Sequence, residues 1–309
     1  MVIYHSPILF SESVGAEETK NMKCNLCPRR CGADRAMGEL GFCGAPALPV
    51  IARAARHDWE EPCISGERGS GAVFFSGCNL GCIYCQNREI SRSIKGKTLT
   101  AMELRDLFKR LRDTGVHNLN LVTATPYADT VAEALEEPLG IPVVWNCGGY
   151  ENLETLKMLE GKIDIWLPDM KYADDALARK YSAAPDYFRI ADAAIREMYR
   201  QAGDYVLDKD GILQRGVVVR HLVLPGELDN SKDVLEWFDA AFGKGRALLS
   251  LMAQYTPNGV GGPTRRLTQA EFQEVADYLY MLDIRDGFVQ EVSSAKEEYI
   301  PAFDGTGVT

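Results

Sequence analysis

Residues 71–87 read GAVFFSGCNLGCIYCQN, and this stretch decides the fold. The apolar run GAVFFS has the length and glycine boundary of a buried strand. It breaks into a loop that carries Cys78, Cys82 and Cys85 at the spacing C-x3-C-x2-C. Loops rich in Gly and Asn are poor places to bury apolar thiols, whereas short loop spacings let thiolates converge on metal. No fourth cysteine follows nearby, so one coordination position is left open. An open position is what a catalytic metal centre keeps for substrate or cofactor.

Downstream, strand-like and helix-like segments alternate. TAMELRDLFKRLRDTG (100–115) predicts a helix with Thr100 as N-cap and Leu104, Leu107, Phe108 and Leu111 on one face. HNLNLVTAT, PVVWNC, KIDIWLPD, GVVVRHLVLPG and ALLSLMAQY predict strands, separated by helical patterns that include one long stretch over 173–203. The last helix is LTQAEFQEVADYLYMLD (267–283). About six βα repeats predict an α/β protein with a parallel sheet: a partial (β/α)6 TIM-like barrel, too short for the full eight-stranded form. Active sites in such barrels lie at the C-terminal ends of the strands. The cysteine loop falls there. So do Thr123 to Tyr127, Asn146 to Gly149, Asp169 to Lys171, and Gln254 with Tyr255.

Upstream, Cys24, Cys27, Cys31 and Cys43 form a second group, C-x2-C-x3-C-x11-C. Four thiolates suit zinc or an iron–sulfur cluster equally well. The other cysteines, Cys63 and Cys147, read as small buried hydrophobes. The expected organisation is a cysteine-rich metal-binding module over 1–66, the barrel over 67–290, and a tail or lid over 291–309. Between Lys20 and His57 there are seven Lys/Arg against two acids. That excess balances thiolate charge or forms a docking surface for an acidic partner.

The chain has 309 residues, 46% of them hydrophobic, and a net charge of −10. A sizeable core can be buried, and the acidic balance argues against a chain-wide nucleic-acid footprint. No apolar run of about 18 residues occurs, so no transmembrane helix is expected. The N-terminus lacks a secretory pattern, and many cysteines without one point to reduced thiols in the cytoplasm. His57, His117 and His221 form no spaced ligand set and read as structural. Tyr181, Tyr187, Tyr199 and Tyr205 read as packing residues.

The C-x3-C-x2-C loop after the first barrel strand, with aromatic Tyr84 before the third cysteine, resembles the radical S-adenosylmethionine (SAM) superfamily. WEEPCISGERGSGAVFFSGCNLGCIYCQN, HNLNLVTATPY, DIWLPDMKYAD, VRHLVLPG and the upstream CNLCPRRCGADR resemble its pyruvate formate-lyase activating enzyme-like branch (PflX-type). The resemblance implies a [4Fe–4S] cluster on Cys78, Cys82 and Cys85, with SAM on the open iron. It implies reductive cleavage of SAM to a 5′-deoxyadenosyl radical that abstracts hydrogen from a substrate, such as the glycine of a glycyl radical enzyme. A small molecule, peptide or nucleoside is the alternative substrate. The implied electron donor is a protein such as flavodoxin or ferredoxin.

The family's Gly-Gly-Glu-Pro stretch, which receives the SAM amino group, is replaced here by Thr123-Ala124-Thr125-Pro126. Thr123 and Thr125 offer hydroxyls and carbonyls, but the acid is gone. Asp169 and Lys171 match the SAM carboxylate region, Asn146 a polar position at the third strand, and Arg220 an inward position on the fifth. Plainer readings stand beside these: Asp169 as a helix N-cap, Asn146 in a turn, Arg220 in a structural ion pair. Two other function classes remain: a two-cluster electron carrier, and a zinc-stabilised RNA-binding module using Arg29, Arg30 and Arg35.

Overall fold

The computed structural model describes residues 23–294 and 301–308. Residues 1–22, 295–300 and 309 lie outside the described residues, and with them Lys20, the start of the expected module and part of the expected tail.

In chain order the strands are β1 (Val50–His57), β2 (Ser70–Phe75), β3 (Lys97–Thr98), β4 (Leu119–Val122), β5 (Val143–Cys147), β6 (Ile165–Pro168), β7 (Val206–Leu207), β8 (Leu213–Leu222), β9 (Leu248–Met252) and β10 (Gly287–Val289). The helices are α1 (Pro62–Ser65), α2 (Arg88–Ser91), α3 (Ala101–Asp113), α4 (Ala128–Ala134), α5 (Leu153–Met158), α6 (Asp175–Ser182), α7 (Tyr187–Ala202), α8 (Leu228–Phe242) and α9 (Gln269–Met281). The sheet order is β10-β9-β8-β6-β5-β4-β2-β1-β3, with β7 on the side of β8. From β2 to β10 every neighbour along that path is parallel. The protein is therefore an α/β fold with a largely parallel, open barrel-type sheet.

The expected strands form in the expected order. Four further strands were not legible, β1, β3, β7 and β10; β3 and β7 are only two residues long. β10 is three residues long and largely exposed. β1 is VIARAARH, poor in the aromatic and β-branched residues that mark strands, and pairs antiparallel with β2. The helical stretch over 173–203 is two helices. α6 ends at Ala183, which adopts a left-handed conformation (φ 49°), and Pro185 biases the residue before it away from the helix.

α3 starts as expected. Thr100 and Glu103 form a reciprocal capping box, and Leu104, Leu107, Phe108 and Leu111 are buried. Along the strands, side chains alternate between the two faces. Trp145 and Trp166 join the large cluster under the helices. Val144, Ile165, Val218 and Leu248 join Cys63 and Ile64 of α1 in a separate apolar cluster. α1 thus closes the barrel floor, and Cys63 is a buried part of that plug.

Two loops set the geometry above the floor. Gly77 leaves β2 with φ +91°, and a Cβ there would lie 3.0 Å from the Cys43 carbonyl oxygen. The cysteine loop thus turns directly against the N-terminal segment. At the chain's other end, residues 301–308 run along β1. The Ala54 amide donates to the Thr306 carbonyl (2.9 Å) and the Gly305 amide to the Ala52 carbonyl (3.0 Å). Phe303 packs edge-on against Phe74 at 5.5 Å.

Candidate active site

A cavity of about 240 Å³ opens where the parallel strands end. Cys78, Cys82, Cys85 and Tyr84 line it from the loop after β2, and Thr123 from the end of β4. Asn146 and Cys147 reach it from β5, Asp169 and Lys171 from beyond β6, and Arg220 from β8. Gln254 and Tyr255 close the side beyond β9.

The three thiols share one wall. Burial pushes the Cys78 thiol up to about 12, and its neighbours Cys82 and Cys85 add to the rise. The Cys85 thiol is raised by the same burial. Thiols so placed do not ionise alone; a bound cation would deprotonate them. Among the described residues no group of three or more His, Cys, Asp or Glu is drawn together tightly enough to hold a single ion. The donor set fits a cluster: three soft thiols, one cavity wall, and the Lys171 charge beside Cys82.

Opposite the thiols lies a charged lattice. Arg220 Nε donates to Asp169 Oδ1 (2.9 Å), Nη1 to Glu60 Oε2 (3.2 Å) and Nη2 to Asn146 Oδ1 (2.6 Å). Lys171 Nζ pairs with Asp169 Oδ2. Burial alone would raise Asp169, but Arg220 and Lys171 outweigh it and hold the carboxyl below its ordinary range. Glu60 and Glu61 respond oppositely: burial raises both, and Arg220 offsets only part of it. Tyr187 fixes the loop, accepting from the Lys171 amide (2.9 Å) and meeting the Gly148 and Asp169 carbonyls at 2.8 and 2.7 Å.

Several plainer readings are settled by this geometry. Asp169 caps no helix, because Asp174 caps α6. Asn146 lies within β5, not in a turn. Arg220 makes ion pairs and lines the cavity at once. Tyr84 presents its ring to the cavity, while its hydroxyl meets that of Tyr172 at 2.8 Å. Thr123 lines the cavity in a left-handed conformation (φ 62°). Thr125 does not: it is buried at the start of a short 3-10 turn, and its hydroxyl donates to Glu151 Oε1 (2.8 Å).

Glu151 had no signal in the sequence. It places a carboxyl behind Thr125, where the second strand's end lacks one. Burial pushes it up to about 8, against bonds from Thr125 and Cys147. Glu60 was also missed; it lies just ahead of α1, which begins at Pro62. His221 is structural, with burial lowering it to about 4. Its Nδ1 lies 2.7 Å from the Met170 carbonyl, and its Nε2 lies 2.9 Å from Ser231 Oγ.

Cys24, Cys27, Cys31 and Cys43 come within electrostatic reach of one another. Burial pushes Cys27 up to about 12, with Glu151, Cys43 and Cys24 contributing. Cys43 is raised by burial, with Cys24 and Cys31 contributing.

A family model described as the radical SAM superfamily matches residues 72–238. An uncharacterized protein of Methanocaldococcus jannaschii is 28% identical over 297 residues, covering 91% of this chain and 82% of its own. The 7-carboxy-7-deazaguanine synthase of Methanothermobacter thermautotrophicus is 36% identical over 67 residues, 21% of this chain and 27% of that one. Among solved structures, Streptococcus suis SuiB bound to precursor peptide SuiA aligns with a TM-score of 0.49 at 12% identity, over 72% of this chain. The alignment spans 48% of the SuiB chain, about half its length.

Proposed function

The chain belongs to the radical SAM superfamily, and on that premise we propose that it cleaves SAM reductively at a [4Fe–4S] cluster held by Cys78, Cys82 and Cys85. When bound, the cluster and SAM together would supply a 5′-deoxyadenosyl radical able to take hydrogen from a substrate. The observation that carries the reading is the sharing of one cavity by the three thiols and by Lys171, Asp169 and Arg220.

The chain's residues divide the work. Lys171 keeps its proton and offers a cation to the SAM carboxylate. Asp169, ionised between two cations, orients Lys171 instead of competing for protons. Thr123 offers its carbonyl and hydroxyl to the SAM amino group. Thr125 and Glu151 support that loop from behind. Asn146 and Arg220 fix the inner wall, and Tyr84 supplies an apolar face.

Cys24, Cys27, Cys31 and Cys43 hold a second metal in this reading, either an iron–sulfur cluster or zinc. Lys23, Arg30, Met37 and Leu40 are exposed on the same segment, with one exposed acid, Glu39, among them, a composition that suits an acidic one-electron donor such as flavodoxin or ferredoxin. The proposed hydrogen donor is glycine in a glycyl radical enzyme, supported by the motif resemblance. No helix among the described residues is long and apolar enough to cross a membrane.

The test is anaerobic reconstitution with iron and sulfide, reduction, addition of SAM, and measurement of 5′-deoxyadenosine. Wild type should form it. Changing Cys78, Cys82 and Cys85 together to Ala should abolish it and remove about four irons. Metal left in that variant identifies the second site. Cluster binding without SAM cleavage would overturn the reading and favour an electron carrier. Deuterium reaching 5′-deoxyadenosine from a small metabolite instead of a partner's glycine would replace the substrate proposal.

A further inference from the structure

Arg29 sits inside the first cysteine group, yet its guanidinium reaches out of it. Nε donates to the Asn79 carbonyl (2.8 Å), and Nη2 meets the Leu80 carbonyl (3.4 Å) in the loop that carries Cys78 and Cys82. Nη2 also donates to the Ser182 carbonyl (2.9 Å) and Nη1 to the Ala183 carbonyl (2.6 Å) at the end of α6. The Phe42 and Tyr150 rings cover the guanidinium at 3.9 and 5.2 Å. One side chain therefore ties the cysteine loop to the left-handed turn at Ser182–Ala183.

Ser182 is buried, and its hydroxyl donates to Cys82 Sγ at 2.9 Å. A serine near a helix end ordinarily bonds back to its own helix. Here the Tyr172 hydroxyl meets Ser182 Oγ at 2.8 Å and the Tyr84 hydroxyl at 2.8 Å. The result is a chain Tyr84–Tyr172–Ser182–Cys82. Each of its three hydroxyls has one proton. A thiolate at Cys82 can only accept. Ser182 must then donate to sulfur, which leaves Ser182 Oγ only an acceptor's part toward Tyr172. Metal ligation thus fixes the Ser182 proton on the sulfur.

We propose that Ser182, held in place by Arg29 of the N-terminal cysteine group, sets the reduction potential of the cluster through its hydrogen bond to Cys82 Sγ. This rests on the reading of Cys82 as a cluster ligand. Reduction adds negative charge to the cluster, and a donor to a ligating sulfur favours that state. The bond therefore raises the potential and eases electron uptake. Arg29 is a positioning residue: it touches neither cofactor nor substrate, and acts by fixing the turn that aims Ser182.

The test uses the reconstituted full chain in wild type, Ser182→Ala, Ser182→Thr, Arg29→Gln and the Arg29→Gln/Ser182→Ala double variant. The readout is redox titration of the electron paramagnetic resonance signal that SAM perturbs, with iron content measured alongside. Ser182→Ala should retain its iron and show a lower midpoint potential, and Ser182→Thr should restore the wild-type value. Arg29→Gln should shift the potential in the same direction by less, and the double variant should lie no lower than Ser182→Ala alone. An unchanged potential in Ser182→Ala overturns the proposal. Additive shifts in the double variant overturn the role of Arg29. Absence of any SAM-perturbed signal in wild type sinks the proposed function itself, a result distinct from an unmoved potential.

Discussion

Replacing Arg220 with Met should destabilise the metal-free protein by about 3 kcal/mol near pH 7. The guanidinium bonds Asp169, Glu60 and Asn146 at 2.9, 3.2 and 2.6 Å, and the Arg220, Asp169 and Glu60 side chains are 15%, 13% and 10% exposed. Removing one partner of a buried pair costs about 3–5 kcal/mol, because a charge is left uncompensated. Two features favour the low end. Asp169 keeps Lys171, and Glu60 already has its pKa raised by burial, so it can take a proton instead of holding an unpaired charge. The loss should shrink as pH falls, because protonation of Glu60 and Glu61, which burial favours, relieves it. Adding Glu60→Gln to Arg220→Met should recover about 1–2 kcal/mol, since no unpaired carboxylate then remains at that position. The assay is urea unfolding followed by fluorescence of the buried Trp145 and Trp166. A cost below about 1 kcal/mol, or a double variant as unstable as the single, would refute the view that Arg220 neutralises the inner wall.

His221 ties stability to acid. Its folded-state pKa is lowered from 6.5 to about 4 by burial, so its contribution is intact above 6.5 and is lost as pH falls toward 4. That gap corresponds to about 3 kcal/mol. Unfolding curves of wild type and His221→Gln should converge across that window, and curves that stay parallel would exclude His221 as the cause. Gly307 tests the strap on β1. With φ +74° and a notional Cβ 1.8 Å from the Ala54 carbonyl, Gly307→Ala should release residues 301–308. Hydrogen exchange at the Ala54 amide should quicken roughly tenfold, as expected for about 1–2 kcal/mol of local strain, and unchanged protection would show the strap is not held there.

What the sequence disclosed followed its periodicities. Short apolar runs marked β5, β6, β8 and β9, and the Thr100 N-cap with its apolar stripe marked α3. The cysteine spacing marks one wall of the cavity. What stayed hidden depends on contacts between distant segments. Glu151 is an ordinary acid after a strand until Thr125 is seen above it. Glu60 reads as a solvated acid, yet it lines the cavity and accepts from Arg220. Arg220 lines the cavity from β8, but its three partners come from residues 60, 146 and 169, which no local pattern connects. β1 was missed because Ala and Arg do not advertise a strand, and its formation depends on pairing with β2.

The Arg29 clamp also bears on how the molecule assembles. Its bonds span 50 residues to Asn79 and 154 to Ala183. The cysteine-rich segment leaves the ribosome early, but its anchoring carbonyls follow much later. At about 5–20 residues per second the farther partner emerges roughly 8–30 seconds after Arg29. Until then the thiols from Cys24 to Cys43 lack the surface they finally pack against. A metal captured in that interval would bind an undocked segment, whereas one captured later would meet a site already braced by the barrel. Such distant contacts make docking of the cysteine-rich segment a late event in folding.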